Sequence, residues 1–466
     1  MRRTVIPIVL LVAAVAAGVL AFLTGTADDA AEGTTTPAAA TPVLSPRRVP
    51  TWLAEPVGVA RLVPALQDVV KQSPADTCLV VTNGDKVVYQ HNQSLPVVPA
   101  SNMKLVTGAI ALDVLGPDFS YATKVVGAKP DGSGTVQGDL WLVGGGDPTL
   151  ATAPYIDHFT TGSKVHTSLE ALADTVAKSG VKSVTGRIVG DDSRYDTQRY
   201  PDAWPEDLRA QNQSGPISAL SVNDGFTSWP AKQSPDADAP VATADPPGHA
   251  AQVFADLLRA RGITVAGSGA GKAPEGAATI ASARSPAMPE LLHNLESGSD
   301  NETSEAIVKE LAVHEGRPGT FADGLDVMRK RIAKLGVPAE GLSVADGSGL
   351  SSEDKVTCGA LTRLLNATGT TGLLGKSLSV AGKEGTLTDR FTDPSVKGRL
   401  RAKTGSLNQV TSLSGFADTA GGTDLTFGYV ANGRTYSDAL LAIQDDLAAA
   451  LVAYPAGVPI DQLGPR

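Results

Sequence analysis

Cysteine, aromatic residues and basic clusters are all scarce in this chain, and each scarcity removes a class of function. Only Cys78 and Cys358 are present, which leaves no CxxC pair for thiol redox chemistry or a zinc ribbon. Aromatic residues make up 5% of the sequence, and 39 Lys plus Arg against 49 Asp plus Glu give a formal net charge of −10 with no basic block. Nucleic acid is therefore not the expected partner. The six histidines show no HExxH spacing, and no GxSxG elbow occurs. GTTGLLGKS at Gly369–Ser377 misses the phosphate-loop spacing by one residue and has no hydrophobic strand before it. GGGDP at Gly144–Pro148 lacks GxGxxG and reads as a sharp turn. Neither a metal nor a cofactor is expected.

At 466 residues the length suggests roughly two to three domains. Arg2 and Arg3 precede an uncharged apolar run, Val5 to Leu23, the pattern of an export signal. The run also approaches the roughly 20 residues a spanning helix needs, so cleavage and retention as a membrane anchor both stay open. Thr24 to Pro50, rich in Thr, Ala and Pro, reads as an unfolded tether. In an exported chain the compartment favours a Cys78–Cys358 disulfide.

Local patterns then alternate in type. Val57 to Lys71 predicts a helix. CLVVTNGDKVVYQ sets Asn83-Gly84 between two β-rich runs, a two-residue hairpin signal. Ser101 opens MKLVTGAIALDVLG, an apolar helix stopped by Gly116-Pro117. Strand-like runs and loops continue to about residue 280, with a helix near Ala250 to Arg261. This middle stretch is long enough to be an inserted domain. Helical patterns dominate after residue 285, strands return at RLRAKTGSL, VTSLSGFADTA and LTFGYVANG, and a helix over Ser437 to Tyr454 closes the chain. Strands joined by tight turns between helices predict an α+β fold with helices on an antiparallel sheet.

Three short motifs fall into these contexts in order: SNMK at Ser101–Lys104, SDN at Ser299–Asn301 and KTG at Lys403–Gly405. Together they supply a nucleophile beside an amine, a hydroxyl with an amide, and a cationic, hydroxyl-bearing strand, which is what acyl transfer through a serine ester requires. Each motif recurs elsewhere: SxxK at Ser179–Lys182 and Ser352–Lys355, SxN at Ser221–Asn223 and Ser406–Asn408, and KSG at Lys178–Gly180. Only Ser101 begins an apolar helix, where i and i+3 share a face. Taken singly, Ser101 and Ser299 could be helix caps, Lys104 a snorkelling lysine and Lys403 a strand charge. Yet Lys104 is the one cation in a stretch otherwise apolar enough to be core, and desolvation would lower its pKa into the range of a usable base.

The trio resembles that of the class C low-molecular-mass penicillin-binding proteins, D-alanyl-D-alanine carboxypeptidases that often act as endopeptidases on peptidoglycan. LVGGGDPTL, GDDSRYD, PDAWPEDL, ISALSVNDG, SDNETSEAI, DGSGLS and KTGSL are similar to that family's landmarks and run in its order. The likeness covers roughly residues 55 to 455. It implies a transpeptidase-like catalytic domain, of the penicillin-binding-protein and β-lactamase type, split by a large insertion. The expected division is an export signal or anchor over 1–23, a linker over 24–50, and a catalytic domain made of segments 51–120 and 285–466 on either side of an insertion at 121–284.

The roles implied are Ser101 as nucleophile and Lys104 as its base, Ser299 as a proton relay to the leaving amine, and Asn301 as a holder of the substrate amide. Lys403 would supply positive potential, Thr404 and Ser406 would bind the terminal carboxylate beside Gly405, and the Ser101 and Ser406 N–H groups would form the oxyanion hole. Asp191 and Asp192 are candidates for the free amino end of a stem peptide, although Asp in a loop is more often a turn former. The implied partners are peptidoglycan stem peptides and β-lactams, with membrane contact only through the N-terminal segment. Family members often carry an arginine directly after DGSGLS, where this chain has Ser352. The competing readings are a noncatalytic peptidoglycan-binding protein and a β-lactamase.

Overall fold

A computed structural model describes residues 51–455 apart from 160–163, 233–237 and 338–339, with side chains described from residue 58 onward. The apolar run Val5–Leu23 and the tether to Pro50 lie outside the described residues. Among the described residues, no helix is long and apolar enough to cross a membrane.

The strands expected at the two ends of the chain combine into one six-stranded sheet. Its order is Ser379–Val380, Leu400–Leu407, Val410–Asp418, Asp424–Asn432, Asp76–Asn83 and Lys86–His91, every pair antiparallel. The hairpin forms where Asn83-Gly84 predicts it, with Asn83 opposite Lys86 and Gly84 at φ +56°. Both faces are covered. On one face, Leu79, Val81, Leu400, Ala402, Leu413 and Phe427 pack with residues of the helices Thr51–Gln72 and Asp438–Val452, such as Leu66 and Leu447. On the other, the helices Met103–Val114 and Cys358–Thr368 share a core with helices Met288–Glu296, Asn301–His314 and Phe321–Lys334. Double coverage explains why Val410–Asp418 is buried at every position but its last, without a solvent-facing alternation.

Residues 122–284 build a second six-stranded sheet. Thr264–Ala270, Ser183–Asp191 and Leu140–Val143 run parallel, Ala122–Gly127 and Ala278–Arg284 join antiparallel, and Thr135–Val136 pairs beside Ser183. Helices Leu169–Lys178 and Pro246–Arg259 cover it through Leu172, Val176, Phe254 and Leu258. The α+β class read from the sequence is the architecture found.

Cys78 in the sheet and Cys358 at the start of a covering helix are joined by a disulfide across a sequence separation of 280. Closing so long a loop is worth at most about 5 kcal/mol in the chain-entropy model. The double substitution Cys78→Ser with Cys358→Ser should lower the thermal midpoint by several degrees, read by circular dichroism, and added reductant should then have no further effect.

Candidate active site

Ser101 lies on a 3-10 turn, Ala100–Asn102, that runs into the buried helix Met103–Val114. The turn is set by backbone packing. Ala100 takes φ +49°, a conformation that L residues other than Gly seldom adopt. Gly349, at φ +83°, passes so close that a Cβ on it would meet the Ala100 carbonyl oxygen at 1.9 Å. The DGSGLS turn thus needs glycine there to press on the residue before the nucleophile. From the sheet, Ser412 Oγ donates to Pro99 O (2.8 Å) and Asn102 Nδ2 donates to Ser414 Oγ (2.8 Å). Both ends of the turn are therefore fixed to the strand beside KTG.

One helical turn on, Lys104 is fully buried. Its Nζ lies 3.2 Å from Ser101 Oγ, 2.7 Å from Asn301 Oδ1 and 2.7 Å from the Ser348 carbonyl oxygen. As an ammonium it donates to all three. Once deprotonated it keeps two N–H groups, which match the two carbonyl-type oxygens, and its lone pair is left for the Ser101 hydroxyl. Burial is the main force on this amine and lowers its pKa to about 8; the carboxylates of Asp346, Glu305, Asp300 and Glu296 oppose it.

Asn301 is the first residue of its helix, capped by Asp300, whose carboxylate accepts from the Glu302 and Thr303 N–H groups. Asn301 Nδ2 donates to Gln213 O (2.7 Å), so the amide bridges Lys104 to the 213–215 loop. Ser299 stands two residues before it with φ +57°, and among the described residues its hydroxyl carries no hydrogen bond.

The KTG strand closes the other side. Lys403 and Gly405 share one face and Thr404 and Ser406 the other. Gly405 approaches the nucleophile so closely that a Cβ would come within 2.9 Å of Ser101 N and 2.3 Å of Ser412 Oγ. Lys403 is fully buried, with Nζ donating to Thr404 O at 3.1 Å. Its pKa falls to about 7, first through desolvation and then through the Lys104 charge, with Glu296 opposing. Thr404 is half-buried and donates to Thr386 Oγ1 (2.9 Å), and Ser406 is exposed. Strand pairing on the outer side stops at Ala402 opposite Ser379, leaving Lys403 to Leu407 as an edge that an extended peptide could join.

The structure therefore brings Ser101, Lys104, Asn301 and Lys403–Ser406 together. It places Asp191 and Asp192 in other work. Asp191 is buried and accepts from the Ser193 and Ala273 N–H groups (2.8 and 2.7 Å), while Asp192 pairs with Arg199 (2.7 Å) and accepts from Ser218 Oγ (2.8 Å). The two hold loops at the end of the second sheet.

A supporting layer has no motif in the sequence. Glu305 accepts from the Gly347 and Ser348 N–H groups (3.1 and 2.9 Å), and burial raises its pKa to about 8. Asp346 accepts from Trp204 Nε1, Gly349 N and Ser351 N at 2.9, 2.6 and 2.7 Å. These two carboxylates hold the turn whose Ser348 carbonyl oxygen receives the Lys104 hydrogen bond.

Comparison with known proteins agrees with this geometry. The model of the D-Ala-D-Ala carboxypeptidase 3 (S13) family matches residues 62–239 and 230–454. A D-alanyl-D-alanine carboxypeptidase of Actinomadura sp. is 31% identical over 84% of this chain and 82% of its own. Carboxypeptidase DacB of Mycolicibacterium smegmatis is 30% identical over 93% of this chain and 94% of its own. Among solved structures, penicillin binding protein 4 (dacB) from Haemophilus influenzae superposes with a TM-score of 0.70 at 21% identity, covering 84% of this chain and 99% of that one. The chain belongs to the D-Ala-D-Ala carboxypeptidase 3 (S13) family.

Proposed function

We propose that this protein is a serine D,D-peptidase that cleaves the D-Ala-D-Ala ends of peptidoglycan stem peptides through a Ser101 acyl-enzyme. The observation that carries this reading is a buried lysine, Lys104, with Nζ 3.2 Å from Ser101 Oγ and two further acceptors at 2.7 Å that consume its remaining donors. In that reading the Ser101 oxygen attacks the carbonyl between the two terminal D-alanines, and Lys104 takes its proton. The Ser101 and Ser406 N–H groups face the developing oxyanion. Asn301 holds the substrate amide, Ser299 passes a proton to the leaving amine, and D-alanine departs. Water then attacks the ester carbonyl, and the Ser101 oxygen regains its proton as the shortened peptide leaves. Lys403, Thr404 and Ser406 receive the terminal carboxylate, whose negative charge in turn favours the charged form of Lys403.

Two solved relatives extend the reading. The Haemophilus protein is also known in complex with a β-lactam, with a TM-score of 0.66, and a peptidoglycan endopeptidase of Bdellovibrio bacteriovorus matches at 0.51. We infer that β-lactams acylate Ser101 and that the same cleft accepts D-Ala-meso-diaminopimelate cross-links. We assign residues 51–120 and 285–466 to the catalytic domain and 121–284, with its own sheet, to an insertion. The N-terminal apolar run and the disulfide support action outside the cytoplasm, secreted or anchored through that run. The test is release of D-alanine from a peptide ending in D-Ala-D-Ala: turnover supports a peptidase, and binding without release would identify a noncatalytic peptidoglycan-binding protein.

A further inference from the structure

Glu296 is the one acid beneath the catalytic lysines to which the chemistry above gives no task. It is the last residue of helix Met288–Glu296 and is fully buried, and neither carboxylate oxygen accepts a hydrogen bond from the described residues. Its place is set by the nucleophile's own helix. Gly108 follows Lys104 by one turn on the same face, and a Cβ on Gly108 would come within 2.8 Å of Glu296 Oε1. The missing side chain at Gly108 is the slot that admits the carboxylate. The helix end is pinned on its other side, where Ser297 O accepts from Thr386 N (3.1 Å) and Ser379 Oγ (3.3 Å), beside the strand that carries KTG.

A buried carboxyl without hydrogen bonds opposes folding, and an apolar residue of like volume would serve packing better. Electrostatics supplies the missing reason. The charges that act on Glu296 are the ammonium groups of Lys403 and Lys104, and both lower its pKa against the larger opposing effect of burial. No other charge from the surrounding elements acts on it comparably. Asp300, Glu305 and Asp346 act on Lys104, His293 on the same helix pairs with Glu384 at the surface (3.3 Å), and Lys376 of the neighbouring short helix is exposed.

We propose that Glu296 is a positioning residue that divides the protons between Lys104 and Lys403, its negative charge allowing Lys403 to stay an ammonium while Lys104 serves as the base. The inference rests on the serine acyl-transfer reading. Without Glu296, two like charges share one buried site, and each ammonium becomes harder to keep; the three groups titrate as a unit. Acylation by penicillin needs Lys104 neutral and Lys403 charged, so its rate follows a bell in pH. Both limbs of that bell should move toward acid when the carboxylate is removed.

The experiment is the second-order acylation rate with a fluorescent penicillin from pH 5 to 10 for wild type, Glu296→Gln, Glu296→Asp and Glu296→Met, with thermal midpoints for each. The expected result is an acidward displacement of about one pH unit in both limbs for the Gln and Met variants, and limbs near wild type for Asp, which keeps the charge. The Met variant should melt no lower than wild type. Limbs that coincide in all four proteins, or a Met variant that only melts earlier with its limbs unmoved, would reduce Glu296 to packing. Failure of the wild-type protein to be acylated at any pH would instead remove the peptidase reading, and this inference with it.

Discussion

Replacing Lys104 with methionine should lower the rate of acylation by penicillin roughly 10³-fold, within the range general-base catalysis supplies. Met keeps the length and apolar stem of lysine, so the helix remains packed and the buried charge is lost rather than exposed. The pH dependence carries the sign of the argument. The working form is the neutral amine, and burial brings its pKa down to about 8 from the ordinary lysine value. The wild-type rate should therefore rise with pH toward that value, because the base becomes available as the proton is lost. In Lys104→Met the residual rate should lose this ascending limb. A variant that kept both its rate and its limb would show that some other group takes the Ser101 proton.

The second large effect belongs to Lys403. Its ammonium is buried on the strand face that meets the nucleophile turn, and its one hydrogen bond is to the Thr404 carbonyl oxygen. It thus offers positive potential and spare donors to an incoming carboxylate. Lys403→Met should reduce kcat/KM about 10²-fold for peptides ending in a free D-alanine carboxylate, the scale of a charge-assisted contact in a desolvated site. The same peptide capped as a C-terminal amide gives the specific readout. It should be a poor substrate for wild type and lose far less in the variant, since the charge that Lys403 answers is already gone. Equal losses on both peptides would place Lys403 in structural support of the strand and not in carboxylate recognition.

The motif residues were legible because each carries its chemistry in its type and its local setting. Ser and Lys at i and i+3 on an apolar helix leave few places for an ammonium other than beside the hydroxyl, and the structure closes that distance to 3.2 Å. The hairpin at Asn83-Gly84 and the last helix were legible for similar reasons, turn chemistry and apolar periodicity, with the helix Asp438–Val452 slightly shorter than its pattern. What was hidden is whatever depends on long-range contact. NETSEAIVKELAVHE carries enough charge to suggest a solvated face, yet Glu302, Glu305, Lys309 and Glu310 are all buried, because partners arrive from distant loops. Lys309 bonds Asp196 and the Gln198 carbonyl oxygen, Glu310 bonds Arg194 and Tyr195, and Glu305 holds the Gly347–Ser348 turn.

Backbone acceptors are equally silent in a sequence. The Ser348 and Gln213 carbonyl oxygens complete the bonds of Lys104 and Asn301, but any residue type could present them. Ser101 also shows how a short-range rule can miss. Ser before an apolar run suggests an N-cap, whereas the structure places it on a 3-10 turn entered through the positive φ of Ala100. The pressure that holds it there comes from Gly349 and Gly405, hundreds of positions away in the chain. Asp191 and Asp192 show the reverse. Two adjacent acids after a strand suggested a ligand for an amine, and the structure gives them N–H groups, a hydroxyl and Arg199 instead.

The most direct test of the whole account is the site of penicillin attachment. Purified protein is incubated with penicillin, digested and mapped by mass spectrometry, beside a Ser101→Ala variant of matched thermal midpoint. The account predicts one penicilloyl group on the peptide containing Ser101 in the wild type and none anywhere in the variant. Label on a different residue, or undiminished labelling of Ser101→Ala, would contradict it.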